Sequence, residues 1–176
     1  MTGEQIDLDQ AGPLFSADGV RRALFCIDTS TLIYLDRIAL LGAVCQAFSP
    51  ATLALVLDEF GSPVNGLSVL PVAGEALDTD DALLALAQRH RGVLLSEDGP
   101  LLRRAGRMGL DYYNTLLLIC GLCYHGILDC GEGAVRIEQL LSFARYSDAV
   151  LSHGCEIFRV VRRYRDAGTS MGTMEP

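Results

Sequence analysis

Apolar and polar positions alternate along this chain in short runs and helical stripes. Ala23, Leu24, Phe25, Cys26 and Ile27 form a continuous apolar run closed by Asp28, the pattern of a buried strand. Thr29 and Ser30 then offer cap hydroxyls, and Leu32, Ile33, Leu35, Ile38, Leu41 and Val44 trace one helical stripe to about Ala47. Pro50 breaks the chain, and residues 52–60 fit strand or helix by periodicity; the favoured reading is a short helix ending at Gly61, with Pro63 beyond it. Residues 66–72 read as a strand near a sheet edge, because Pro71 cannot donate to a ladder. A helix over 80–90 is capped by Thr79 and stopped by Gly92. Residues 93–96 are the next strand, Pro100 opens a helix over 101–108, and 110–113 are a further short strand. Helical stretches follow over 115–128, 133–143 and 148–165.

Strands alternating with helices predict an α/β fold, a three-layer sandwich around a central parallel sheet. The folded unit is expected to span residues 23–165, with a core over 23–128 and C-terminal helices over 129–165. Residues 1–22 are polar and rich in glycine, and are expected to dock loosely or not at all; 166–176 are expected to form a flexible tail.

Composition narrows the function classes. The 176 residues suit one domain, and half of them are hydrophobic, enough for a sizeable core. No apolar run approaches the ~18 residues of a membrane span, and the acidic start with Glu4, Asp7 and Asp9 is unlike a signal peptide, so a cytoplasmic protein with no membrane partner is expected. The six cysteines lie mostly in apolar segments and read as reduced core thiols, including Cys120 and Cys123, whose C-x-x-C spacing falls inside an apolar helix. A net charge of -8 argues against a general nucleic-acid coat but not against a nuclease, whose metal ion inverts the local field. All 14 basic residues are arginine. The absence of lysine counts against a P-loop NTPase, a phosphoacceptor receiver and a haloacid-dehalogenase-type phosphatase, although Asp28 follows a strand as that phosphatase's nucleophile would.

The acids carry the strongest chemical signal. Asp28 and Asp98 each close a buried strand, and neighbouring parallel strands deliver such ends to one edge of the sheet, where ligands bind in open α/β folds. Glu59 and Asp81 sit at the borders of apolar segments between them. Each acid alone also reads as a helix cap, a first-turn residue or a solvated side chain. Carboxylates gathered together repel unless protonated or bridged by a cation, and an all-oxygen set suits Mg²⁺ or Mn²⁺.

Four segments in order, FCIDTSTLIYL, LVLDEFGSP, DTDDALLALA and LLSEDGPLLRRAGRMGLDYYNT, resemble the PIN-domain ribonucleases, in the flavour of small prokaryotic toxin-like members. The resemblance covers roughly residues 23–128 and implies a sheet of order 3-2-1-4-5. It implies a catalytic and metal-binding quartet at Asp28, Glu59 (with Asp58 adjacent), Asp81 (with Asp80 a one-residue alternative) and Asp98. Thr29, Ser30 and Ser96 would support those carboxylates, and Asn114 and Thr115 follow the last strand where many members carry a further polar residue. The implied activity is Mg²⁺- or Mn²⁺-dependent hydrolysis of RNA, with Arg103 and Arg104 reaching phosphate and single-stranded RNA as substrate. Arg89, Arg91 and the Arg159–Arg165 cluster are further candidates for phosphate, and Tyr112 and Tyr113 for a base, though solvated faces and packing are the commoner uses of such residues. An antitoxin-like protein and a second copy of the chain are the implied partners. The competing reading is a PIN module that binds RNA or protein without turnover.

Overall fold

The computed structural model describes residues 7–8, 11–72 and 78–171. Its centre is a five-stranded, all-parallel sheet of order β3-β2-β1-β4-β5, covered by helices in a three-layer α/β/α sandwich. The strands are β1 (Leu24–Ile27), β2 (Ser49–Leu53), β3 (Ser68–Leu70), β4 (Val93–Leu95) and β5 (Tyr112–Tyr113). The helices are α1 (Ala17–Arg22), α2 (Thr29–Arg37), α3 (Leu41–Ala47), α4 (Ala54–Phe60), α5 (Thr79–His90), α6 (Gly99–Arg107), α7 (Thr115–Tyr124), α8 (Cys130–Leu141) and α9 (Asp148–Met171). The expected strand order is therefore the one observed.

β1 lies at the middle because it is apolar throughout: Phe25, Cys26 and Ile27 are fully buried, as a strand with helices on both faces requires. Phe25 registers with Pro50 on one side and Val93 on the other, and Ile27 with Leu95. Chain direction reverses its progress across the sheet between β1 and β4, so the ends of these two strands flank the switch point where open α/β sheets take ligands.

β2 runs through Pro50, read from the sequence as a break, and into the segment that fits strand or helix; a proline has no N–H for a ladder. The sheet accommodates it because β3 pairs with β2 only from Ala51 onward, leaving Pro50 with a neighbour on one side. The segment then turns directly into α4, which ends as expected at Gly61 with φ 86°. The stripe expected as one helix to Ala47 is two: the chain breaks between Arg37 and Leu41, where Ala39 takes φ 55°. An alanine in the left-handed region leaves no glycine or proline for a reader of the sequence to find.

The N-terminal segment is docked, against the expectation of a loose extension. Leu14 and Phe15 are almost wholly buried, Ser16 caps α1 by accepting the Gly19 N–H at 3.0 Å, and Phe15 meets Tyr113 and Tyr124 edge-on. The fit is close: a Cβ on Gly121 of α7 would lie 2.6 Å from Leu14. At the other end, α9 continues through the expected tail as far as Met171, and 172–176 lie outside the described residues.

α7 is the most apolar helix, with Leu116, Leu118, Ile119, Cys120, Leu122 and Cys123 buried. α9 packs along it in the same direction, since Gly154 faces Leu116 and Tyr164 stacks on Tyr124. Among the described residues, no single helix is long and apolar enough to cross a membrane.

Candidate active site

Asp28 is the first residue beyond β1, and its N–H still continues the ladder to Leu95 O at 2.9 Å. Its carboxylate caps α2: one oxygen accepts from Thr29 N–H at 2.7 Å, and the other accepts from Ser30 Oγ at 2.7 Å and Ser96 Oγ at 2.9 Å. Ser96, fully buried just past β4, also accepts the Asp98 N–H at 3.0 Å, so one hydroxyl ties Asp28 to the turn carrying Asp98. Ser30 makes the reciprocal link, accepting the Glu97 N–H at 3.1 Å. Asp98 is exposed and caps α6, accepting the Leu101 N–H at 2.8 Å. Adjacent parallel strands ending in register produce this arrangement: Ile27 faces Leu95, so the residues just beyond them meet.

Glu59 reaches the same edge indirectly. It is exposed on α4 and accepts a hydrogen bond of 2.8 Å from the buried Thr29, the residue after Asp28. Asp58 is exposed beside it.

The two acids at the start of α5 divide their roles. Asp81 forms an ion pair with Arg104 of α6, and both side chains are roughly a third exposed (34% and 39%). Asp80 is half-buried beside Asp81. Its proton affinity is raised, first by burial and then by the charges of Asp28, Asp78 and Asp98, with Arg104 opposing. Asp80 is thus the α5 carboxylate that senses Asp28 and Asp98, the one-residue alternative to Asp81. Asp78 caps the helix through the Asp81 N–H at 2.7 Å, a role expected of Thr79.

Arg104, expected to meet phosphate, is committed to Asp81, while Arg103 is exposed and folds back over the start of α6, its Nη1 3.3 Å from where a Gly99 Cβ would stand. Arg162, Arg163 and Arg165 flank Tyr164, which stacks on Tyr124 at the end of α7 away from the carboxyl edge that α7 leaves at Thr115. They do not line this site.

Two residues of the site carried no signal in the sequence. Glu97, between Ser96 and Asp98, points inward rather than toward the acids. One carboxylate oxygen accepts from Thr115 N–H at 2.7 Å, Thr115 Oγ1 at 2.6 Å and Thr31 Oγ1 at 3.4 Å; the other accepts from Tyr146 Oη at 2.5 Å. Burial raises its pKa, and the hydroxyl and amide donors pull the other way. Tyr146 belongs to the loop between α8 and α9, whose Phe143 packs edge-on against Tyr34 and lies under the Arg37 guanidinium at 3.8 Å. The loop is thereby pinned to the turn that presents Asp98. Asn114 caps α7 through the Leu117 N–H at 3.0 Å, and Thr115 serves Glu97.

The donor chemistry at the edge fits a hard divalent cation: the side chains are all oxygen donors, and Asp80 registers mutual repulsion with Asp28 and Asp98. As they stand, no three acidic, histidine or cysteine side chains among the described residues converge closely enough to hold a metal ion. The cysteines give no competing centre. All six are free thiols, and burial pushes Cys123 up to about 12 and Cys120 in the same direction, as befits neutral core groups.

Comparison with protein-family models, curated proteins and solved structures finds no match to this chain.

Proposed function

We propose that this protein is a Mg²⁺- or Mn²⁺-dependent ribonuclease of the PIN type, hydrolysing phosphodiester bonds of single-stranded RNA at its carboxyl edge. The observation that carries this reading is the hydrogen-bonded link, through Ser30 and Ser96, of Asp28 at the end of β1 to the turn bearing Asp98 at the end of β4, at the sheet's switch point. Asp28, Asp98 and Asp80 would hold the cation, with Glu59 or Asp81 joining them. When bound, it would lower the pKa of a water molecule and stabilise charge developing on phosphate. The chain's own contribution is orientation. Ser30 and Ser96 fix one oxygen of Asp28, Ser96 fixes the Asp98 turn, and Thr29 steers Glu59. Arg103 is exposed, folds back over the start of α6 and is suited to hold a phosphate of the substrate. Six free cysteines suit a reducing compartment, and we place the protein in the cytoplasm.

A second reading, an RNA- or protein-binding module without turnover, draws support from the Asp81–Arg104 pair and from carboxylates not gathered to ligating distance. Incubating single-stranded RNA with wild type and Asp28→Asn, with and without Mn²⁺, separates the two. Metal-dependent cutting lost in the variant is expected of the nuclease; equal cutting by both proteins removes Asp28 from the chemistry, and RNA retention without cutting leaves the binding module.

A further inference from the structure

Beside the acidic edge lies a cavity of about 420 Å³, lined chiefly by Leu102, Tyr112, Asn114, Leu117, Val150 and His153. Its volume is within the ~300–1,000 Å³ range of small-molecule sites. It abuts the acids through covalent and sheet geometry. Leu102 is one helical turn beyond Asp98, to which its N–H bonds at 2.9 Å, a rise of about 6 Å. Asn114 follows Tyr113, whose carbonyl accepts the Ser96 N–H at 3.2 Å, so the cavity is one strand spacing, about 4.8 Å, from the residue that holds Asp28.

The lining is that of a site for a flat heterocycle. Leu102, Leu117 and Val150 make apolar walls. Tyr112 is 41% exposed, and its ring is backed by the helix at Gly106, where a Cβ would stand 2.9 Å from it. Tyr113 is not available to a ligand, because its hydroxyl donates to Ala11 O at 2.9 Å and accepts from Leu14 N–H at 3.4 Å. Asn114 also lines the cavity; its amide oxygen accepts the Leu117 N–H at 3.0 Å, and its amide nitrogen is a hydrogen-bond donor. His153 also lines the cavity. An aromatic face, apolar walls and an amide donor match a nucleobase. A phosphate would need cations here, and an acyl chain would make no use of the Asn114 amide.

We propose that this cavity receives one unstacked nucleobase of the RNA strand whose phosphate lies at the carboxylate edge. The assignment rests on the reading of that edge as an RNA site, and it accounts for a preference for single strands, since a paired base cannot enter. Ordinary protein–base stacking corresponds to roughly a tenfold to hundredfold gain in affinity.

The test is equilibrium binding to the full chain, in chelator so that nothing is cut, of three fluorescent probes: a short single-stranded RNA, the same length with abasic nucleotides, and a duplex. Two variants accompany it. Val150→Trp fills the cavity, and Tyr112→Ala removes an exposed ring with little risk to folding; melting curves confirm that each is folded. The single strand is expected to bind wild type at least about tenfold more tightly than the abasic or duplex probe, and the folded variants are expected to lose that advantage. If Val150→Trp does not fold, Tyr112→Ala alone decides. Equal binding of base-bearing and abasic RNA, or variants that keep the preference, overturns the assignment. A small apolar molecule competing from the cavity without changing RNA affinity overturns it as well. The two readings separate cleanly: Mn²⁺-dependent cleavage without base preference sinks only the base site, whereas base preference without cleavage in any metal sinks only the hydrolytic step.

Discussion

Replacing Tyr146 with phenylalanine isolates a hydrogen bond that joins the α8–α9 loop to the turn bearing Asp98. The phenol donates to Glu97 at 2.5 Å, and the other Glu97 oxygen already accepts from Thr31 and twice from Thr115. A hydrogen bond to a charged group contributes about 1.5–3 kcal/mol and one between neutral groups about 0.5–1.5 kcal/mol. The variant leaves three donors on Glu97, so no bare charge is stranded, and the lower half of the charged range applies: about 2 kcal/mol with Glu97 ionised. The size of the loss should depend on pH. The pKa of Glu97 is raised in the fold because burial outweighs its hydrogen bonds, so the folded state holds this proton more tightly than the unfolded state does. Stability from this group is then fully present below the unfolded pKa and is lost as pH rises through the folded one. The Tyr146 bond opposes that loss by favouring the carboxylate, so its removal is felt most at higher pH. Urea denaturation of both proteins is expected to show a gap of about 2 kcal/mol at mildly alkaline pH, shrinking toward about 1 kcal/mol in acid, with unchanged m. A gap that is constant or grows on acidification would refute the reasoning, and so would its absence at both ends.

Ser96→Ala removes a buried hydroxyl that donates to Asp28 and accepts from Asp98 N–H; a loss of about 2–3 kcal/mol is expected in denaturation, with metal affinity weakened as well. Asp80→Asn keeps the shape and removes a charge whose proton is favoured by burial and by Asp28, Asp78 and Asp98. Because the folded pKa is raised, Asp80 costs stability increasingly as pH rises through it, so the metal-free variant should melt higher than wild type near neutrality and equally in acid; a lower melting point near neutrality would contradict the repulsion. Gly92→Ala would set a Cβ 2.5 Å from the backbone carbonyl of Leu24, which cannot swing away, so a loss of about 1–3 kcal/mol is expected, and a neutral effect would mean that β1 and the α5–β4 turn yield more easily than drawn.

What the sequence discloses follows from which forces act locally. β1 and β4 were legible because unbroken apolar runs ending in acids leave few other readings, and the strand order followed from the family resemblance those acids carry. β2 was hidden by Pro50, whose missing donor matters only if both neighbours pair there, a fact of register rather than of composition. The break at Ala39 was hidden because tertiary packing imposed a left-handed residue that prefers otherwise. At the site, Asp28, Ser30, Ser96 and Asp98 are linked as their strand-end positions suggested. The choice between Asp80 and Asp81 depends on helix phase, since adjacent residues point about 100° apart, and Arg104 takes the one that faces α6. Glu97 and Tyr146 are separated by 49 residues, and no local pattern ties a loop tyrosine to a carboxylate that far away.

The most direct measurement is anomalous scattering from a crystal soaked in Mn²⁺. Density is expected at the carboxyl edge between Asp28, Asp80 and Asp98, and is expected to vanish in Asp28→Asn. Manganese bound only elsewhere on the molecule, or none at that edge at saturating concentration, would contradict a metal-assembled nuclease site.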